Sequence, residues 1–387
     1  MKIIRLTSVL FLSALLAGCG VLGSIFGAEE TEQPAELVDF DPEVNFERLW
    51  RVNVGNGQGE QYNRLTPAIE GDTIYVAANN GRVMAIERDS GNRLWRVDLD
   101  YEISGGVGLG SDLLFLGTTD ATLLALDKTD GELVWMTETS SEVLSVPVSS
   151  GDIVVVQSID SRLAGYDVSN GEQIWIYENT MPALTIRGTS SPIIAGDFVL
   201  AGFDNGLVVS VALDNGTLNW DSRIAIPTGR SEMQRLIDVD AELVINNGAL
   251  LVPTYQGFLT VLDITSGQIL WRVEESSLVG VGTGFGNIYI SDDRGHVKAY
   301  RRGAQDPEIW VNDQLDLRQV SSPVGFNNYI AVGDFEGYLH LLAQVDGRFV
   351  GRYRVGREGL RIIQFRNGIL YAYGNNGDLV ALRVEAE

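Results

Sequence analysis

The sequence predicts an all-β protein: an eight-bladed β-propeller of four-stranded antiparallel blades, its ring closed by the N- and C-terminal strands. Three observations lead there. First, one fifteen-residue phrase recurs, as GRVMAIERDSGNRLW (81–95), ATLLALDKTDGELVW (121–135) and SRLAGYDVSNGEQIW (161–175). Second, all seven tryptophans mark the same point of the phrase, at 50, 95, 135, 175, 220, 271 and 310, a period of roughly 40 residues typical of propeller blades. Third, the last copy starts at Gly377 and ends with the chain before its Trp position, whereas Trp50 has no strands ahead of it.

Each copy converts into short strands. A β-branched and aromatic run such as DTIYVA (72–77) is followed by a small-residue turn, Asn79-Asn80-Gly81, and a second strand. Next comes a tight turn, Ser90-Gly91 or Asp130-Gly131, where Gly supplies positive φ, and then the strand that carries Trp. Asp127, Asp167 and Asp263 precede these turns and are expected to cap them through side-chain to backbone hydrogen bonds. The copies at 206–220 and 257–271 fit. The copy at 295–310 carries one extra residue, with Asp306 where Gly is expected. The copy at 337–351 ends in Gly351 where the others have Trp. The indoles are expected to pack across joints between blades. The unfinished last blade and the orphan strand around Trp50 should complete each other, so that the termini close the ring and leave only short edges. The Gly-rich stretch 55–64 after Trp50 reads as part of that closure.

Composition narrows the function. The formal charge of −24 disfavours nucleic acid as a partner. One cysteine, Cys19, excludes an internal disulfide, and two isolated histidines, His296 and His340, argue against a His-based metal site. No catalytic residue, cofactor or metal is expected.

Residues 1–18 read as a signal peptide: Lys2 and Arg5, then an apolar run too short to span a bilayer. It ends in Leu16-Ala17-Gly18-Cys19, similar to a bacterial lipobox, which implies lipid attachment at Cys19. Gly20, by resemblance to enterobacterial-type lipoproteins, implies sorting to the outer membrane. Residues 19–45 read as the lipidated cysteine and a flexible acidic tether, and 46–387 as the propeller.

Two segments break the period. The spacings from Trp175 to Trp220 and on to Trp271 are 45 and 51 residues, and the excess falls in connections to the next blade. These connections should emerge side by side on one face. One, NTMPALTIRGTSSP (179–192), offers Met181, Leu184, Ile186 and Arg187; the other, SEMQRLIDVD (231–240), offers Asp238 and Asp240. Apolar groups flanked by charge on long loops of a rigid scaffold suit protein binding.

The phrase AxDxxxGxxxW resembles the PQQ-type propeller repeat, over residues 46–387. Quinoprotein dehydrogenases share that repeat, but no adjacent cysteines of their kind occur here; a periplasmic ligand-binding propeller is a further alternative. The stronger resemblance is to the outer-membrane protein assembly factor B lipoproteins. It rests on the lipobox, the tether, eight repeats, the segments 179–192 and 231–240, Ser322-Pro323 and GDFEGYLH (333–340). That resemblance implies a non-catalytic scaffold, lipid-anchored in the outer membrane and facing the periplasm. It also implies that Leu184, Ile186, Arg187, Asp238 and Asp240 bind the POTRA domains of the barrel-inserting protein BamA. Unfolded barrel clients pairing with exposed blade edges are a second class of partner compatible with the architecture.

Overall fold

The computed structural model describes residues 32–59, 63–182, 184, 185, 187–226, 237 and 239–386. From Ala35 onward these residues form one unit. Seven sheets follow one another in chain order, at 68–98, 103–138, 148–178, 193–223, 244–275, 281–312 and 324–354; they are blades 1 to 7. Blade 8 takes its three inner strands from the C-terminus, Leu360–Arg366, Ile369–Gly374 and Asp378–Ala386. Its outermost strand is Val44–Asn53 from the other end of the chain. Val44 lies opposite Ala386 and Asn53 opposite Asp378 along this seam. The ring closes as the sequence predicts.

Within a blade, position decides composition. The middle strands of blade 2, Leu113–Thr118 and Thr122–Asp127, are buried on both faces because neighbouring blades cover both, and they are almost continuously apolar. The outermost strand Leu133–Glu138 alternates between exposed and half-buried residues.

The tryptophans tie each blade to the next. The indole Nε1–H groups of Trp50, Trp95, Trp135, Trp175, Trp220 and Trp310 donate to the carbonyls of Arg88, Lys128, Val168, Leu213, Ile264 and Gln344, at 2.8–3.2 Å. Each acceptor sits at the turn of the following blade. The glycine of that turn lies under the ring: a Cβ on Gly171 would stand 2.6 Å from Trp135. The two irregular copies then make sense. Blade 6 has Asp306 where the glycine facing Trp271 would be, and its Gly303 meets open space instead. Blade 8 has no hairpin between its third and outermost strands, so an indole at position 351 would have no turn to dock on. Val44 and Phe46 of the N-terminal strand fill the space over Gly351 instead, and Phe46 packs on Tyr353 with centroids 5.5 Å apart. The hairpin aspartates act as expected. Asp127 accepts from the Thr129 N–H at 2.7 Å, and hydrogen bonds from Thr265 and Ser266 hold the Asp263 carboxyl down to about 2.

Packing begins earlier than residue 46. Arg318 and Arg352 donate to the carbonyls of Ala35 and Val38, at 2.8 and 2.9 Å. Phe40 stacks on Phe349 at 5.5 Å, and the Glu43 N–H donates to Val350 of the blade 7 edge at 2.8 Å. Residues 35–43 are thus a strap along blade 7, where a flexible tether was expected. Its apolar residues Leu37, Val38 and Phe40 alternate with acidic ones, and the guanidiniums that bind its carbonyls lie some 280–315 residues away in sequence.

The stretch after Trp50 closes the ring and also enters the channel. Val54 N–H donates to Gly377 at 2.8 Å, tying the stretch to the C-terminal turn. Further on, Arg64–Leu65 pairs in parallel with the innermost strand of blade 2, Ile103–Leu109, making that sheet five-stranded.

Candidate functional site

Antiparallel order puts every connection from an outermost strand to the next innermost strand on one propeller face, together with every turn between second and third strands. The connections 139–147, 179–192 and 224–243 lead into blades 3, 4 and 5 and therefore lie side by side on that face.

Local chemistry fixes the 179–192 connection at both ends. At its start, the Asn205 amide in the turn of blade 4 donates to Asn179 Oδ1 and the Thr180 carbonyl at 3.2 and 3.1 Å. At its end, Ser190 Oγ hydrogen-bonds the Gly202 backbone at 3.2 Å, and Ser191 Oγ accepts the Val146 N–H of the previous connection at 2.9 Å. Ser322 repeats the second contact by accepting the Gly280 N–H at 2.7 Å, so the Ser-Pro pairs stitch successive blades. The GDFEGYLH segment is likewise structural. Its Asp334 accepts from buried Arg318 at 2.8 Å and meets buried His340 at 3.0 Å.

Between these fixed ends the connection is open. Met181 and Leu184 are 50% and 45% exposed. Arg187 is half-buried and paired with Glu142 of the neighbouring connection. Ile186 and Asp238 lie outside the described residues. Asp240 is not on the surface as its sequence neighbourhood suggested: it is 6% exposed. Ile237, Val239, Ala241 and Leu243 are buried too, whereas Glu242 between the last two is exposed, so packing against the 179–192 connection sets Asp240 apart. Its Oδ2 lies where a Cβ on Gly188 would come within 2.3 Å, so only glycine lets the two connections meet there. Nearby Asp204 is also buried; that burial, and next the Asp240 charge, push its carboxyl up to about 7.

The sequence reading missed three neighbours of this surface. Glu142 sits in a connection of ordinary length. Ile226, 67% exposed, precedes the segment that stood out. Arg64 reaches the site from the channel, its Nη2 donating to the Asp240 carbonyl at 2.7 Å. Exposed apolar residues beside an ion pair, on connections pinned at their ends, can dock a folded protein surface.

A family profile described as Outer membrane protein assembly factor BamB matches residues 35–103 and 79–311. The chain belongs to the BamB family. It is 54% identical over 375 residues to the BamB of Pseudomonas aeruginosa, covering 96% of this chain and 98% of that one. With the BamB of Yersinia pestis it shares 34% over 386 residues, covering 93% and 96%. The crystal structure of BamB from Moraxella catarrhalis superposes with a TM-score of 0.80 at 26% identity, covering 88% of this chain and all of that one. Quinohemoprotein alcohol dehydrogenase from Comamonas testosteroni also superposes, with a TM-score of 0.71; at 14% identity it shares only the fold with this BamB-family chain.

Proposed function

We propose that this chain is a non-catalytic scaffold that binds the POTRA region of BamA through the blade 3–5 connections and so assists folding and insertion of outer-membrane β-barrels. Membership of the BamB family makes it an outer-membrane protein assembly factor. The observation that carries the finer reading is the exposure of Leu184 and Met181 on a connection pinned at both ends, beside the Arg187–Glu142 pair. Leu184 and Ile186 supply apolar anchors, Arg187 and Asp238 the flanking charge, and Asp240 supports them from below. Cys19, outside the described residues, carries the lipid that holds the propeller at the outer membrane on its periplasmic side. Unfolded clients are a second class of partner for the exposed blade edges.

Leu184→Asp and Arg187→Ala test this. An apolar anchor or a desolvated arginine at an interface contributes about 2 kcal/mol or more, roughly thirtyfold in affinity. Calorimetry against the periplasmic part of BamA should show that loss, with unchanged thermal melts. Folded variants that bind as tightly as the parent would refute the patch.

A further inference from the structure

We infer that Arg64 and Asp240 form a clamp across the propeller channel, in which both act as positioning residues for the partner-binding connections. The inference rests on the reading of those connections as the partner surface. Arg64 starts far from them: its strand belongs to the ring-closing stretch between blades 8 and 1. That stretch is held stiffly. The Gln58 amide donates to the Leu65 carbonyl at 2.9 Å and accepts the Leu65 N–H at 3.0 Å, bracketing the strand from one side. Asn63 donates to the Gln58 carbonyl at 2.6 Å. On the other side Arg64 and Leu65 pair with Gly105 and Gly106, and Thr66 exchanges backbone hydrogen bonds with Gly106 and Val107 at 2.6 and 2.9 Å. From this base the guanidinium reaches the Asp240 carbonyl. Blades 2 and 5 are three positions apart in a ring of eight, so the bond crosses the channel and does not follow the rim.

Asp240 serves two segments at once. Its carbonyl receives Arg64, while its side chain abuts Gly188 of the 179–192 connection. Val239 and Ala241 on either side are buried as well. Three stretches of chain, the channel arm and the two long connections, thus meet at one residue. A hydrogen bond from a guanidinium to a carbonyl is charge-assisted and stronger than a neutral one. Without it the 237–243 stretch keeps its apolar contacts but loses its tie to the opposite wall.

Hydrogen exchange of the free protein reads the clamp without any partner. Arg64→Ala should speed exchange across 237–243 by about tenfold, as a local opening that leaves the global melt in place. Affinity for the periplasmic part of BamA should fall by about fivefold. Asp240→Asn keeps the carbonyl but alters the contact with Gly188, so it should loosen 179–192 more than the channel arm. Leu184→Asp, at an exposed position of the neighbouring connection, is the control and should lower affinity with exchange at 237–243 unchanged. If Arg64→Ala does not fold, Arg64→Met retains the aliphatic stem and gives the same readout. Unchanged exchange in the folded Arg64 variant overturns the clamp. Lost affinity with unchanged exchange overturns it too, because Arg64 would then be a contact and not a support. Faster exchange with undiminished affinity overturns the positioning role. If instead Leu184→Asp and Arg187→Ala bind normally while Arg64→Ala loosens the loop and weakens binding, the clamp stands and the assignment of those contact residues fails.

Discussion

Gly171 and Gly151 separate two demands that a single turn residue can face. Both adopt positive φ, +74° and +58°, but only Gly171 has an indole against it; Gly151 faces open space. Alanine at either position adopts a left-handed backbone at a cost of about 1–2 kcal/mol. Gly171→Ala must in addition push Trp135 away from the Val168 carbonyl, leaving that carbonyl short of its donor, for a further cost of about 1–3 kcal/mol. Urea unfolding should therefore rank Gly171→Ala below Gly151→Ala, with the parent most stable. The buried Asp204–Asp240 pair makes a different prediction. Asp204 titrates near 7 in the fold and near an ordinary carboxylate value when unfolded. Its folded-state pKa is raised, so the folded protein holds a proton that the unfolded chain has released. Stability linked to this group is full below about pH 4 and is lost as pH rises toward 7. Asp204→Asn should remove that loss, giving up to about 3 kcal/mol relative stabilisation at pH 8 over pH 5 in paired denaturant melts.

The strap is the element that the sequence hid. Nine residues with alternating apolar and acidic character do not repeat elsewhere, and their partners Arg318 and Arg352 are separated from them by most of the chain. Local pattern carries no record of such a pairing. The tandem phrases were legible because most copies repeat the same strand order and turn glycine, so each feature is vouched for by several others. The same logic explains Asp240. An acidic residue in a long connection reads as surface, and the contact that places it inside, with Gly188, comes from a different connection. Glu142 gave no signal because its connection has ordinary length, and Arg64 ends a Gly-rich stretch that reads as ring closure, with nothing local to show that its guanidinium reaches the Asp240 carbonyl. The strap's role is measurable by comparing deletion of 20–34 with deletion of 20–43, the second of which should lower the melt far more. Deleting 20–43 uncovers Phe349, takes one carbonyl acceptor from each of two arginines and exposes the blade 7 edge, at a cost of several kcal/mol. Equal melting temperatures for the two truncations would show that the strap contributes nothing to stability.

At the scale of the whole molecule, a closed ring carries three neighbouring connections on one face, with exposed apolar residues on two of them. Closure depends on the Val44–Asn53 strand, and the stretch that follows it enters the channel and reaches the Asp240 carbonyl. The seam that completes blade 8 and the surface proposed for BamA are therefore connected through one continuous piece of chain. Ring and surface were legible separately in the sequence, from the Trp period and from its two long intervals; the connection between them was not, since among the described residues it runs through the Arg64 guanidinium. The claim that this face receives BamA is tested most directly by hydrogen exchange of the propeller with and without the periplasmic part of BamA. Protection is predicted within 139–147, 179–192 and 224–243, where the adjoining connections share one face. Protection confined to the opposite face, at turns such as 88–92, 128–132 and 168–172, would contradict it.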